Sequence, residues 1–218
     1  MKLNVVEYPD RDMMMMDVAQ QVAEELESAL LSTGTATLAV PGGSTPGPMF
    51  DDLCAADLNW AGVSVLLTDE RCVPATSNRS NAKLLRERLF VNRAAAATYV
   101  PIYGDGADTV DIKPLLPIDV LVLGMGADMH TASLFPGAVE LAGALASDAP
   151  SLVQVTPPGG LEPRVSLSGP VLKGAISTHV LITGAEKREA LETAAKLPDI
   201  ILAPIRLVMQ DATIHWAE

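Results

Sequence analysis

Aspartate and histidine stand two residues apart in a glycine-rich stretch near the middle of the chain. Asp128 and His130 follow the apolar run 120–123 and the turn Gly124-Met125-Gly126. A histidine can take a proton near neutral pH, and a neighbouring carboxylate can fix its tautomer or stabilise its protonated form. The stretch therefore predicts general acid–base chemistry, with His130 and Asp128 as catalytic residues. A structural histidine is the alternative.

The other two histidines lack this setting. His179 lies inside an apolar strand pattern, and His215 lies in the C-terminal tail. A histidine in such a place is more often a buried, hydrogen-bonded side chain than a reactive one. We therefore interpret both as structural.

Charged residues follow a second apolar run, at 63–68. Asp69, Glu70 and Arg71 come directly after it, and Arg79 and Asn81 follow a few residues later. A guanidinium can make bidentate contacts with a phosphate or a developing oxyanion, and a carboxylate can orient it or bind sugar hydroxyls. The segment predicts a substrate-binding loop, and a solvated charge cluster is the alternative.

A third loop joins an apolar run to a helical pattern and contains Gly42, Gly43, Ser44 and Thr45. Glycines let the backbone approach a ligand, hydroxyls can donate hydrogen bonds, and a following helix offers free N–H groups. These features predict a small phosphate cradle. It is not a P-loop, because the lysine of that motif is absent. An ordinary tight turn is the alternative.

A phosphorylated substrate would need local cations, because the formal net charge of the chain is −12. The cations near predicted strand ends are Arg71, Arg79, Arg164 and Lys187. Arg164 starts a strand pattern and Lys187 starts a helical one. Either of these two alone would be read as a surface charge.

Short apolar runs alternate with longer segments of helical period, and turn residues separate them. Several runs are apolar without alternation, which is typical of strands buried on both faces of a parallel sheet. The predicted strands are 3–8, 35–40, 63–68, 120–123, 152–156, 164–167 and 178–183, and the predicted helices are 13–32, 47–56, 80–91 and 185–196. The pattern predicts an α/β fold: one doubly wound, Rossmann-like domain over residues 1–218, with a mainly parallel sheet flanked by helices. In such sheets ligands bind beyond the carboxyl ends of the strands, where all three loops fall.

Composition excludes several classes of function. A net charge of −12 leaves no basic surface for nucleic acid. No stretch approaches the roughly 18 apolar residues of a membrane span, and the N-terminus does not resemble a secretory signal. Cys54 and Cys72 are too few for a disulfide framework or a structural metal site. We expect a protein of the cytoplasm that contacts neither nucleic acid nor membrane and holds no metal.

In this order, the loops resemble the 6-phosphogluconolactonase family. The matching segments are PGGSTP at 41–46, TDERCVP at 68–74 with SN at 80–81, LGMGADMHTASLFPG at 123–137, RVSLSGPVL at 164–172 and TGAEKREAL at 183–191. The resemblance covers nearly the whole chain, and the block at 123–137 is the most specific. It implies a fold related to the sugar-phosphate isomerases.

The resemblance also implies a reaction: hydrolysis of 6-phospho-D-glucono-1,5-lactone to 6-phospho-D-gluconate in the oxidative pentose phosphate pathway, without a cofactor, by a monomer or a homodimer. His130 would activate water and Arg71 would meet the oxyanion. The 6-phosphate would lie against residues 43–45, with Arg164 closing the pocket.

The chain departs from the family pattern at two places. Met129 replaces the glycine that precedes the histidine, and a positive φ there would strain a methionine. The family lysine near Pro157 and Pro158 is missing, and Lys187 or Arg79 would have to replace it.

Two other functions remain open from the sequence. A glucosamine-6-phosphate deaminase/isomerase shares the first loop but differs in the second and third. A non-catalytic sugar-phosphate sensor would need a DNA-binding module, and the acidic composition weighs against nucleic-acid contact.

Overall fold

Seven parallel strands form the main sheet. The computed structural model describes residues 3–104 and 111–218. In spatial order the strands are β1 (Asn4–Glu7), β10 (Thr213–Ala217), β9 (Ser177–Thr183), β6 (Val120–Gly124), β2 (Ala36–Val40), β3 (Val63–Leu67) and β5 (Thr98–Val100). All neighbouring pairs in this sheet are parallel. The predicted α/β class with a mainly parallel sheet is confirmed.

The central strands are apolar throughout because both faces of the sheet are covered. All five residues of β2 are buried, and Leu38, Val65 and Leu121 of neighbouring strands are fully buried. Each such side chain stabilises the fold by about 1.5–3 kcal/mol relative to its exposed state. The continuous apolar runs thus reflect two-sided burial.

Helices cover the two faces. They are α1 (Arg11–Thr33), α2 (Gly47–Leu53), α3 (Asn81–Arg88), α4 (Leu141–Leu145), α5 (Gly169–Lys173) and α6 (Ala185–Lys196). The four predicted helices are present, although α2 and α3 end three residues earlier than predicted. Asp10 caps α1 by accepting a hydrogen bond from the Met13 amide, and Gly34 ends it at φ +82°. None of the helices in the described residues is long and apolar enough to cross a membrane.

The direction of winding reverses between β2 and β6. From β2 the chain continues outward to β3 and β5, whereas β6 and β9 are added on the other side of β2. The loops that leave β2 and β6 therefore diverge and open a crevice at the carboxyl edge of the sheet. Such a switch point is the usual ligand site of open α/β sheets.

A small antiparallel sheet stands beside this edge. It contains β4 (Asp69–Arg71), β8 (Arg164–Leu167) and β7 (Leu152–Val155), in the order β4-β8-β7. The prediction that 69–71 is a loop is wrong, because these residues pair with β8. The predicted strands 152–156 and 164–167 exist but lie in this second sheet.

Two strands of the main sheet were missed. β5 has only three residues, too few for a recognisable period, and β10 was interpreted as a C-terminal tail. Instead β10 lies between β1 and β9, and His215 within it is fully buried. A short segment with mixed polar and apolar residues becomes a strand here because its neighbours supply both ladders of hydrogen bonds.

Candidate active site

A cavity of about 260 Å³ opens at the switch point, between the loops that follow β2 and β6. All three polar loops reach it. Ten of the predicted site residues line it: Gly42, Gly43, Ser44, Thr45, Asp69, Arg71, Asn81, His130, Arg164 and Lys187. The sheet topology thus brings together residues that are far apart in the sequence.

The loop after β6 presents His130 to this cavity. Nδ1 of His130 lies 2.5 Å from Oδ1 of Asp128, and the His130 amide lies 3.3 Å from the same oxygen. A Cβ on Gly126 would approach the imidazole to 2.3 Å. The loop therefore needs a glycine at 126, because only a residue without a side chain leaves space for the ring.

Met129 adopts the left-handed backbone conformation that favours glycine. Its φ is +67°, and its amide donates to the Gly126 carbonyl at 2.9 Å while the Gly126 amide donates to the His130 carbonyl at 3.0 Å. These bonds hold the turn closed. A methionine is strained in this conformation, where glycine would not be.

The Asp128 carboxylate is ionised beside the histidine. Partial burial opposes its ionisation, but the hydrogen bond and charge of His130 hold the pKa of Asp128 below its ordinary value. Asp128 itself does not line the cavity. It contacts Nδ1 of the histidine instead. An ionised carboxylate at Nδ1 favours the tautomer with the proton on that nitrogen.

Two arginines face the cavity from neighbouring strands. The pairing of β4 with β8 sets Arg71 directly opposite Arg164. Arg164 is almost fully buried, and its nearest carboxylate oxygens, of Glu162 and Asp69, are 3.7 and 3.8 Å away. Burial lowers the pKa of Arg164, and the charge of Arg71 acts in the same direction while that of Asp69 opposes it. The guanidinium remains charged, since arginine keeps its proton in proteins. Both carboxylates lie beyond hydrogen-bond distance of it.

Two residues that sequence reasoning left without a role support these groups. The Phe135 ring centroid is 4.4 Å from that of His130, and Cζ of Arg164 lies 6.0 Å from the Phe135 centroid. Ser133 Oγ donates to Oδ2 of Asp69 at 2.6 Å. Both belong to the segment 123–137, whose sequence motif was the available signal.

The loop after β2 contributes backbone and hydroxyl groups. Gly43 has φ +87°, and a Cβ on Gly42 would lie 1.9 Å from the Asn81 side chain. Both positions therefore require glycine. Lys187 reaches the same cavity from α6, and burial lowers the pKa of its ammonium group. An anion beside Lys187 would reverse part of that effect.

Two of the predicted binding residues lie outside the cavity lining. Glu70 points to the opposite face of β4, toward the start of α3. The Arg79 side chain is half exposed and pairs with Glu162 at 2.7 Å. Of the two cations expected to replace a lysine in this cavity, Lys187 lines it and Arg79 does not.

The charge of the site opposes that of the whole chain. In the described residues the cavity is lined by three cationic side chains, Arg71, Arg164 and Lys187, and one carboxylate, Asp69. No group of three or more His, Cys, Asp or Glu residues in residues 3–104 and 111–218 could hold a metal ion. The geometry defines a class of protein: an α/β fold with an anion-attracting, histidine-bearing site at its switch point.

Comparison with known proteins gives this class a name. Residues 9–216 match the model of the family described as glucosamine-6-phosphate isomerases/6-phosphogluconolactonase. A 6-phosphogluconolactonase of Mesorhizobium japonicum is 41% identical, over 96% of this chain and 93% of that protein. One of Rhizobium meliloti is 37% identical, over 92% of each. The chain belongs to this family.

Solved structures agree. A 6-phosphogluconolactonase from Shewanella baltica has a TM-score of 0.93 at 29% identity. The match covers 100% of this chain and 98% of that one. A monomeric glucosamine-6-phosphate deaminase has a TM-score of 0.79 at 15% identity, and the match covers 99% of this chain and 98% of that one. It therefore shares the fold. The protein is an enzyme of the 6-phosphogluconolactonase type.

Proposed function

We propose that this enzyme hydrolyses 6-phospho-D-glucono-1,5-lactone to 6-phospho-D-gluconate, with His130 as the general base, in the oxidative pentose phosphate pathway. One observation carries the proposal. The His130–Asp128 pair opens onto the same cavity as Arg71, Arg164 and Lys187. One site therefore contains a base that can activate water. It also contains cations that can bind a phosphate and stabilise an oxyanion.

The histidine is prepared to accept a proton. Because Asp128 binds Nδ1, the neutral ring keeps its proton there and leaves a lone pair on Nε2. Nε2 takes a proton from water as the water oxygen attacks C1 of the lactone. The imidazolium that forms is stabilised by the Asp128 carboxylate. General-base assistance of this kind contributes roughly 10²–10⁴-fold in rate.

Ring opening returns the proton. The tetrahedral intermediate collapses, the bond between C1 and the ring oxygen breaks, and the departing oxygen takes the proton from Nε2. His130 is neutral again at the end of the cycle. The carboxylic acid product then ionises, so the net reaction releases one proton.

Arg71 stabilises the negative charge that develops on the carbonyl oxygen. Arg71 lines the cavity next to Arg164, its partner in the β4–β8 pairing. The carboxylates nearest to Arg164 stay beyond hydrogen-bond distance of it. Preorganised cations in a partly desolvated site act more strongly on a transition state than solvated ones do. We assign Arg71 to the oxyanion.

The 6-phosphate would bind between the loop 42–45 and the cations Arg164 and Lys187. The loop offers amides at two glycines and the hydroxyls of Ser44 and Thr45. A phosphate dianion beside Lys187 would offset the burial that lowers the pKa of its ammonium group. We assign Asp69 and Asn81, which also line the cavity, to hydrogen bonds with the sugar hydroxyls.

We further propose that the enzyme works in the cytoplasm, as a monomer or homodimer without nucleic-acid partners. Cys54 and Cys72 are both free thiols, which supports a reducing compartment. The net charge of −12 argues against nucleic acid.

The test follows acid release from freshly generated 6-phosphogluconolactone in weak buffer, with and without the protein. The lactone also opens spontaneously, so the excess rate is the result. We expect a large excess with the phosphorylated lactone and little with glucono-1,5-lactone. No excess with either lactone would contradict the proposal. Release of ammonium from glucosamine 6-phosphate would instead support the deaminase function.

A further inference from the structure

Glu70 is buried behind the wall of the active-site cavity. It is the middle residue of β4, and its neighbours Asp69 and Arg71 both line the cavity. Side chains of a strand alternate between its two faces, so Glu70 points away from the substrate. Its exposed fraction is 2%.

The Glu70 carboxylate is saturated by four hydrogen bonds. Oε1 accepts from the amides of Arg71 at 2.7 Å and Asn81 at 2.8 Å. Oε2 accepts from the Ala82 amide at 2.7 Å and from Ser80 Oγ at 3.1 Å. Three donors come from the start of α3, where a negative charge is stabilised by the helix dipole. One side chain thus ties β4 to α3.

Two of these donors belong to residues of the cavity. The first is Arg71, which also donates from Nη1 to the Arg79 carbonyl at 2.7 Å. The second is Asn81, which donates from Nδ2 to the Asp69 carbonyl at 2.9 Å and packs directly on Gly42. The position of Glu70 therefore fixes contacts on two walls of the site.

We propose that Glu70 is a positioning residue, which holds the Arg71 guanidinium and the Asn81 side chain in the geometry that the transition state requires. The proposal rests on the proposed lactonase function for its kinetic readout. A displacement of Arg71 would weaken an interaction made mainly in the transition state, so it would lower kcat. A displacement of Asn81 would disturb the loop at Gly42 and raise KM.

The main test compares Glu70→Gln with Asp119→Asn. The substituted glutamine keeps the shape of the side chain, but its amide nitrogen cannot accept the N–H groups that face it. Asp119 is a matched control, because its Oδ2 accepts from the Thr37 amide at 2.7 Å at the opposite edge of the sheet. We expect both variants to lower the melting temperature. Only Glu70→Gln should also lower kcat/KM of the folded protein, by about tenfold or more.

A double-mutant cycle tests whether Glu70 acts through Arg71. In an Arg71→Met background, Glu70→Gln should lower kcat/KM by a smaller factor than in the parent. Equal factors in both backgrounds, or an unchanged kcat/KM in the single variant, would overturn the proposal. If Glu70→Gln does not fold, Glu70→Asp carries the same test, since it keeps the charge but shortens the reach.

Hydrogen exchange separates this proposal from the proposed function. The amides of Arg71 and Asn81 should be protected in the parent and exchange faster in Glu70→Gln, whether or not lactone is a substrate. Faster exchange in a protein without lactonase activity would overturn the proposed function alone. Lactonase activity that Glu70→Gln leaves intact would overturn the positioning role alone.

Discussion

The described residues contain two histidine–carboxylate pairs in different surroundings. His130 lies 2.5 Å from Asp128 at the mouth of the cavity, and His179 lies 2.9 Å from Glu25 beneath α1. The side chain of His130 is 29% exposed, whereas that of His179 is 2% exposed. The same two residue types therefore serve different purposes according to their position.

The buried pair is part of a longer chain of hydrogen bonds. Nδ1 of His179 is 3.0 Å from Nε2 of His215, whose Nδ1 is 2.8 Å from the Tyr8 hydroxyl. That hydroxyl donates to Asp17 at 2.5 Å. Both ring nitrogens of each buried histidine are occupied, so neither is free to take a proton from a substrate. In the described part of the chain, Nε2 of His130 has no protein partner.

Electrostatics separate the two regions further. Burial lowers the pKa of His215 to about 4, and the neighbouring His179 adds to this effect. Burial opposes the ionisation of Glu25, but the hydrogen bond and charge of His179 lower its pKa below the ordinary value. The buried histidines are thus closed off from solvent, whereas the His130 side chain is partly exposed at the cavity.

The largest expected difference comes from removing each histidine in turn. His130→Asn should lower kcat by roughly 10²–10⁴-fold, because the general base is lost, and should change the melting temperature little. His179→Asn should leave kcat of the folded protein unchanged and lower its melting temperature, because it breaks the buried chain. Steady-state kinetics and thermal unfolding of both variants check this. Equal losses of kcat would erase the distinction between the two pairs.

Acid should act on the buried region through His215. Its pKa lies near 6.5 in the unfolded chain and is about 4 in the folded one. The unfolded state therefore binds the proton more tightly, and stability falls as the pH drops from about 6.5 through 4. The loss is on the order of 3 kcal/mol.

Urea unfolding at several pH values measures this loss. The effect of Glu25 begins at lower pH, because its ordinary pKa is 4.5 and its folded pKa is lower. In His215→Gln the stability should vary less between pH 6.5 and 4. The same slope in both proteins would assign it to other groups.

Arg164→Met tests the cation at the site itself. If Arg164 binds the 6-phosphate equally in the ground and transition states, KM should rise by about 10–100-fold with kcat little changed, the equivalent of one charge-assisted hydrogen bond. Arg93→Met, which removes a half-exposed arginine paired with Asp57, is the control and should leave KM unchanged. A normal KM in Arg164→Met would reject its contact with the phosphate.

The smallest expected effect concerns the strained residue beside His130. Met129→Gly should be more stable than Met129→Ala by about 1 kcal/mol, because alanine at φ +67° keeps the strain that glycine avoids. Both variants remove the methionine side chain, so their difference isolates the backbone. Chemical denaturation measures it. Equal stabilities would show that the turn carries no strain.

The sequence determined the α/β class and the three polar segments that follow β2, β3 and β6. Continuous apolar runs and glycine positions are local signals, and they are set by burial and backbone sterics close to each residue. Eight of the ten cavity residues belong to these three segments, whereas Arg164 and Lys187 lie outside them. The resemblance indicated that Met129 would be strained if its φ were positive, and the φ of +67° meets that condition.

Only the tertiary structure decided which strands pair and which distant side chains meet. The register of β4 and β8 places Arg71 opposite Arg164, and a three-residue strand gives no periodic signal in the sequence. Reading 69–71 as a loop hid the alternation that turns Glu70 away from the substrate. Likewise, His215 and His179 meet because β10 is inserted beside β9. Such contacts join distant segments, so they depend on the packing of the whole sheet rather than on any local pattern.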